Sequence, residues 1–457
     1  MGTVHAKEPL VCKDLEAGSQ KEKTIDLDNI PVHVQRVVVD GVSRTKNDII
    51  VSQVQELLAA KSFSEMVFRS NEVKLHFEQL GLFKNIHILI DTYKGECARD
   101  NAYEVKFDVN ELRCVAGGIN TMVGNTHANL LFSLRLPNMN GRGERLNVEY
   151  SHGTKQSRGV NMSFTKPIFG LPEALFSTGF YQHHSEYPWS GYKETDRGMF
   201  TDVTFPTVMG NHTLKWEGVW RDLRSLTRTT SFAVREQSGH SIKSCLKHIF
   251  YRDTRDDAIL PTRGTLLRAI HEYAGLGGSA NFFKHDLELQ VNQALLWDTV
   301  LQFSFGMGIM KSLDTKKEIL VNDRFFLGGP LTLRGFNIKG VGPHSDGNAL
   351  GAEAYWIVAG HIYTPLPFRP LRGGFGDLFK LHFFANAGNI GNIALRRDFR
   401  ENIGEMMETI RWAYGAGLVL RMGGIARLEL NYVVPVVAQR GDGVYSGLQF
   451  GIGLSFM

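Results

Sequence analysis

Few residues in this 457-residue chain are spaced for chemistry. His183 and His184 are adjacent, but no third ligand stands at a metal-binding spacing from them. Cys12, Cys97, Cys114 and Cys245 contain no C-x-x-C, so neither a zinc site nor a disulfide framework is indicated. The glycines of "GLGG" (275–278), and Gly415 and Gly417, do not lie where a strand turns into a helix, so they do not read as a phosphate cradle. No G-x-S-x-G or H-E-x-x-H occurs. The expectation is a protein that is not an enzyme and carries no metal or cofactor. One stretch stands apart: "RFFLGGPLTLRGF", Arg324 to Phe336. Gly328, Gly329 and Pro330 break helix and strand alike, and Arg334 follows with Gly335 and Phe336. An arginine fork can hold a carboxylate with defined geometry. A glycine beside it admits close backbone approach, and a phenylalanine can pack on a wall. The chemistry on offer is anchoring.

Composition narrows the classes. The 51 Lys and Arg nearly balance 47 Asp and Glu, leaving a formal charge of +4. That is too little over this length to point to nucleic acid, and no basic run stands out. Glycine numbers 48 and aromatics reach 11%, a pairing that suits an all-β chain with tight turns and aromatic bands. Mean hydropathy is −0.16, and no apolar window of about 18 residues marks a transmembrane helix. Barrels escape both measures. The start, "MGTVHAKEPL", lacks the apolar core of a secretory signal, and Ala6 stands where a myristoylation site needs Ser or Thr. Residues 1–30 are polar and aperiodic and read as a flexible tail.

The arginine stretch needs a frame. From Arg113 to the last residue the chain alternates apolar and polar residues in segment after segment. In "HTLKWEGVWR", Leu214, Trp216 and Trp220 oppose Lys215, Glu217 and Arg221. In "DLELQVNQALLW", Leu287, Leu289, Val291, Leu295 and Trp297 share a face. In "IARLELNYV", Leu428, Leu430 and Tyr432 oppose Arg427, Glu429 and Asn431. A soluble sandwich also alternates. Here the segments run to about ten residues, the length of a tilted strand crossing a bilayer, with Trp and Tyr near their ends. Sixteen or seventeen can be counted, Ser231 to Gly239 being either strand or loop. Backbone groups in hydrocarbon must be paired, so the sheet is expected to close as a barrel. The arginine stretch then belongs to a loop of 39 residues (311–349), a length rarely idle.

Residues 31–112 have another pattern. "VHVQRVVVD" is strand-like, and Thr45 with Asp48 suggests a helix cap before Ile50, Val54, Leu57 and Leu58. Ser62 with Glu65 opens a second helix with the stripe Met66, Val73, Phe77 and Leu80, and Gly81 closes it. Two strands follow, with Ile86, Ile88 and Ile90 on one face of the first and Tyr103, Val105, Phe107 and Val109 on one face of the second. The order β-α-α-β-β resembles a single POTRA domain, a module whose open sheet edges can bind extended peptides.

"FLGGPLTLRGF" in turn resembles the sixth-loop signature of the BamA-like outer-membrane insertase superfamily. That resemblance implies a loop folded back into the lumen, with the arginine of its R-G-F core, Arg334, paired to the inner wall. The strand "HFFANAGNI" resembles the family's F-F-x-D-x-G wall motif, with Asn386 where an aspartate is usual. The expected carboxylate is therefore Glu353, with Asn386 as a neutral acceptor. The resemblance runs from Val32 to Met457. One POTRA unit and the ending make the chain similar to the Sam50-type barrel subunit of the mitochondrial sorting and assembly machinery. This implies a mainly β fold, with a POTRA domain before a 16-stranded antiparallel transmembrane barrel. It also implies residence in the mitochondrial outer membrane, with the POTRA domain in the intermembrane space. The implied partners are β-barrel precursors, metaxin-like accessory subunits and membrane lipid, with no nucleic acid.

In the ending, "GLQFGIGLSFM", Leu448, Phe450, Ile452, Leu454 and Phe456 make one apolar face. Gln449, Gly451, Leu454 and Phe456 resemble the mitochondrial β-signal. Closure pairs this strand with "VAGGINTMVG" (115–124), where Gly117 and Gly118 offer little packing. A weak seam suits a lateral gate through which precursors enter the membrane. A passive pore, a translocation channel of the same superfamily and a soluble lectin-like sandwich are the competing readings.

Overall fold

The computed structural model describes residues 30–457 apart from 96–98, 100, 125–127, 155, 169–170, 315–317, 368–374, 393–403, 405, 425 and 454–455. The first unit comprises β1 (His33–Asp40), α1 (Asn47–Val54), α2 (Phe63–Leu80), β2 (Phe83–Thr92) and β3 (Ala102–Glu111). Its sheet has the order β1-β3-β2, with β1 parallel and β2 antiparallel to β3. α2 starts where the Ser62 side chain accepts the Glu65 N–H at 3.2 Å while Glu65 reaches back to the Lys61 N–H at 2.9 Å. It stops at Gly81, whose φ of +60° is the left-handed turn that glycine adopts freely. Leu57, Met66, Phe77, Val105, Phe107 and Val109 form the core.

Two local expectations fail here. Thr45 and Asp48 do not cap α1, because Lys46 holds the cap position without a side-chain bond. The Thr45 hydroxyl is instead spent on Glu111 at 2.7 Å. Leu58 points outward because the chain tightens into a 3-10 turn at Gln55–Ala59, which rotates it off the stripe.

The rest of the chain is one sheet of sixteen strands in sequence order. These are β4 (Ala116–Val123), β5 (Ala128–Pro137), β6 (Arg145–Gly153), β7 (Arg158–Ile168), β8 (Leu171–Tyr187), β9 (Tyr192–Thr207), β10 (Gly210–Ser225) and β11 (Gly239–Asp253). They continue with β12 (Gly264–Gly278), β13 (Phe282–Ala294) and β14 (Val300–Ser312). A two-residue-strand hairpin, β15 (His344–Ser345) and β16 (Asn348–Ala349), lies in the long loop. The sheet resumes with β17 (Ala354–Pro365), β18 (Phe379–Gly391), β19 (Arg411–Met422), β20 (Ala426–Val437) and β21 (Gly447–Gly453). Every neighbouring pair is antiparallel, β14 with β17 included.

Alternation sorts the two faces. Leu214, Leu246 and Phe450 are exposed on the outer wall while Glu217, Lys243 and Glu429 are buried on the inner one. No helix among the described residues is long and apolar enough to cross a membrane, which says nothing of a barrel, whose strands cross instead. Ser231–Gly239 is not a strand: it is a loop holding the short helix α3 (Phe232–Glu236), and β11 begins only at Gly239. β13 ends at Ala294, so Leu295 and Trp297 leave the strand face for a tight turn in which Trp297 has φ +58°. The long loop occupies 313–353, so Glu353 precedes β17 instead of lying within it.

The two units are joined by polar contacts at the β5–β6 loop. The Asn138 side chain donates to the Thr45 hydroxyl at 2.9 Å, Lys46 N donates to Gly141 O at 2.8 Å, and Arg142 pairs with Asp48 at 2.9 Å. Arg145 donates to Leu80 O, serving an unpaired carbonyl at the end of α2.

Candidate functional site

The long loop enters the barrel, and its apolar residues pack on the inner wall. Leu327, Leu333 and Phe336 join Phe282, Met310, Ile357 and Ile390 in one buried cluster. Ordering a residue costs roughly 1–2 kcal/mol, so a loop this long needs anchors besides apolar contact. It has two.

The first is Arg334, which is 0% exposed. Its Nε and Nη2 donate to one oxygen of Glu429, at 3.2 and 2.9 Å. The other carboxylate oxygen lies 3.0 Å from Arg427 Nη2. Asn431 also donates to Glu429, at 3.0 Å. The guanidinium sits between the rings of Phe384 and Phe456, at 5.1 and 5.7 Å. Glu353 is not its partner: that carboxylate lies 3.9 Å from Lys311, outside the strand and away from the arginine. Asn386 is nearby but acts as a donor, giving its amide N–H to the Arg334 carbonyl at 3.3 Å. The carboxylate therefore comes from β20, next to the last strand.

Glycine is required at 335 on two counts. Its φ is +89°, and a Cβ there would lie 2.8 Å from that of Ala413 on β19. Phe336 is fully buried beside it. Gly328 and Gly329, at φ +110° and +115°, turn the loop around its tip.

The R-G-F core also grips the last strand. The Gln449 side chain accepts from Gly335 N at 3.3 Å and donates to Phe336 O at 3.1 Å. One amide thus pairs with the loop backbone as a neighbouring strand would. Tyr445 N donates to Gly335 O at 2.9 Å, and Asn337 N to Gly443 O at 2.7 Å. After Gly453 the chain end leaves the wall. Met457 N donates to Leu331 O at 2.9 Å, and Arg334 Nη1 donates to the Met457 carbonyl. Phe456 is only 3% exposed, with the Arg427 guanidinium 4.1 Å above its ring. It does not share the outer face of Leu448 and Phe450; two cations above an aromatic face hold it inside. Gly451 makes room for this turn, since a Cβ there would lie 3.1 Å from Phe456 and 3.2 Å from Pro330. Leu454 lies outside the described residues.

The second anchor is Asp323, on the opposite wall. Arg221 Nη1 donates to both its oxygens at 2.9 Å, and Lys243 Nζ donates at 3.0 Å. Burial pushes this carboxyl up, but the Lys243 and Arg221 cations outweigh that and hold it below the ordinary carboxylate range. Lys284 donates to the Asp323 carbonyl at 2.8 Å, and Gln237 accepts the Val321 N–H at 2.7 Å. Sequence reasoning passed over Asp323; its one signal was an acid in a loop facing the polar-face cations Arg221 and Lys243.

The sheet ends at β4 and β21, and no ladder joins them among the described residues. Residues 116–122 of β4 are exposed on both faces, as an unpaired edge would be. Gly117 and Gly118 lie there, paired on their other side with Leu134 and Ser133 of β5. His183 and His184 point to opposite faces of β8; His184 Nδ1 lies 2.9 Å from the Thr195 hydroxyl. No group of three metal-ligating side chains occurs among the described residues.

Known proteins resemble this arrangement. The Omp85 superfamily domain matches residues 138–456. The sorting and assembly machinery component 50 homologs of Xenopus tropicalis and Homo sapiens are 46% and 45% identical over 100% of both chains. A SAM50-like protein of Drosophila melanogaster is 32% identical over 97% of this chain and 99% of its own. In fold, the chain is similar to BamA from Haemophilus ducreyi lacking POTRA domains 1–3, with a TM-score of 0.74, 18% identity, and coverage of 92% of this chain and 84% of that one. With full-length relatives, a superfamily domain across the barrel and the loop motif seated in the lumen, the chain belongs to the Omp85 superfamily and, within it, to the sorting and assembly machinery component 50 family.

Proposed function

We propose that this chain inserts and folds β-barrel precursors in the mitochondrial outer membrane, admitting them at the seam between β4 and β21. The observation that carries the reading is the unpaired β4 edge beside a last strand held from inside by the R-G-F core through Gln449. Unsatisfied backbone groups in hydrocarbon cost several kcal/mol each, so such an edge binds extended chain strongly. A precursor's own last strand supplies the missing ladder. Where it displaces β21 from β20 it exchanges like bonds for like, each about 1 kcal/mol net, so no nucleotide is required. A precursor strand with a glutamine placed as Gln449 also finds the same loop amide and carbonyl. The relatives' names, as components of a sorting and assembly machinery, support this reading, as does the BamA-like fold. The POTRA unit then faces the intermembrane space, where precursors arrive, and metaxin-like subunits complete the assembly.

A passive pore is disfavoured by the anchored loop and the inward chain end, which occupy the lumen. The test is reconstitution. The purified chain in vesicles, without nucleotide, is given a urea-unfolded mitochondrial barrel. Protease-protected, heat-modifiable product at a rate well above that of empty vesicles is expected. Uptake of the precursor into the vesicle interior would favour the translocation channel, and no acceleration would refute the proposal.

A further inference from the structure

On the outer wall, at the rim away from the POTRA unit, β8 to β11 form a groove of about 320 Å³. Its lining includes Lys193, Arg197, Trp220, Asp222, Arg224 and His240. Register puts them on one face: Arg197 stands opposite Trp220, Lys193 opposite Arg224, and His240 opposite Asp222. Below the groove, on the same face, Phe180, Met199 and Leu246 are exposed apolar residues, and Ile242 stands level with Trp220. The groove thus lies just above the apolar band, with a tryptophan at the border, where lipid headgroups sit.

Its charges are not balanced. Asp222 is spoken for: Arg224 Nε and Nη2 each lie 2.8 Å from Oδ2, and His240 lies 3.4 Å from Oδ1. Arg197 lies over the Trp220 ring, 5.2 Å from its centroid. Glu186 of β8 stands opposite Lys193 in register, but among the described residues no carboxylate is within ion-pair distance of Lys193 or Arg197, and with Arg224 the groove's cations outnumber Asp222 and Glu186. Trp220 also stacks on His240, 4.9 Å between centroids, which fixes the platform. A guanidinium over an indole face still has N–H groups to give, and such a fork matches two phosphate oxygens.

From this geometry we infer that the groove is a binding site for the phosphate of an anionic membrane phospholipid, with Arg197 and Lys193 as its ligands and Trp220 as its platform. The site is independent of the seam and of precursor insertion. The lipid's acyl chains run down over Met199 and Leu246, and its phosphate is held by Arg197 and Lys193.

Native mass spectrometry tests it. The full chain is released from micelles holding equal phosphatidylglycerol and phosphatidylcholine, and retained lipid is counted. Two cations near an anionic headgroup are expected to give a preference for phosphatidylglycerol of about tenfold. The double variant Lys193→Gln/Arg197→Gln should bring that ratio close to one while keeping the heat-modifiable gel mobility of a folded barrel. Trp220→Leu should reduce it partway. An unchanged ratio in the double variant would overturn the site, as would equal retention of both lipids by the native chain. Loss of the preference in millimolar inorganic phosphate would show that the groove reads free phosphate and would overturn the lipid assignment.

Discussion

Arg334 and Glu429 are 0% and 1% exposed at their side chains, so neither reaches solvent if the other is removed. Removing one member of such a pair costs roughly 3–5 kcal/mol. Arg334→Ala and Glu429→Gln should each expose the loop to protease and slow precursor insertion, and the double variant should be no worse than either alone. Arg334→Lys should fail as well, since an ammonium cannot reach Glu429 and the Met457 carbonyl together. Glu353→Gln should leave both readouts unchanged; a defect as large as that of Glu429→Gln would return the anchor to Glu353. The arginine's role was legible in its local motif, but its partner was not. Alternation places Glu429 on the inner face beside Arg427 and Asn431, and Glu353 can be given an inner face by the same rule. Which inner strand lies across from a loop tip depends on how the loop folds into the lumen, and no local pattern carries that.

The loop is placed as a strut, tied to β10 and β11 by Asp323, to β20 by Arg334, and to β21 by the Gly335 and Phe336 backbone. Loss of either tie should free one half only. Asp323→Ala is expected to raise amide exchange over 319–324 while 333–337 stays protected; uniform exchange across both halves would show that the loop is a single cooperative unit. The carboxyl is held low in the folded state, so its contribution is complete above the ordinary carboxylate range. It is lost only as pH falls below that range. Gly451→Leu should expel the chain end, because the new side chain starts 3.1 Å from Phe456. Loss of protection at the end of the chain would accompany it, with Leu448 and Phe450 still facing lipid. Strand existence, strand faces and the POTRA order were readable because period and capping are local. The turn at Trp297, the helix α3 and the inward Phe456 were not. Each keeps the alternation of its neighbours and departs from the wall only because a turn or a cation–π contact elsewhere requires it.

The two units meet at the segment 44–46, which bonds residues 137–141. Burial raises the Glu111 carboxyl, but bonds from the Thr45 and Ser43 hydroxyls and from the Thr45 and Arg44 amides lower it from the ordinary 4.5 to about 2. A carboxyl lowered on folding contributes fully above the ordinary value and loses its effect as pH falls toward the folded one. Protection of the 43–46 amides in the full chain should therefore hold at neutral pH and decline between about 4.5 and 2. In Glu111→Gln it should be weak throughout; equal protection in the variant would show that the joint rests on Asn138 and Arg142 instead. The joint ties the POTRA unit to the β5–β6 loop, and β5 is the strand paired with β4. The proposed entry of precursors depends on the free edge of β4. The most direct measurement is cysteine crosslinking of an arrested precursor to single cysteines along β4 (116–123) and β21 (447–453). The expected result is a ladder in which the precursor's last strand joins β4 in one register, residue by residue, with native bonding of β20 to β21 reduced in step. Crosslinks confined to lumen-facing residues of β10–β14, with β4 silent, would contradict it.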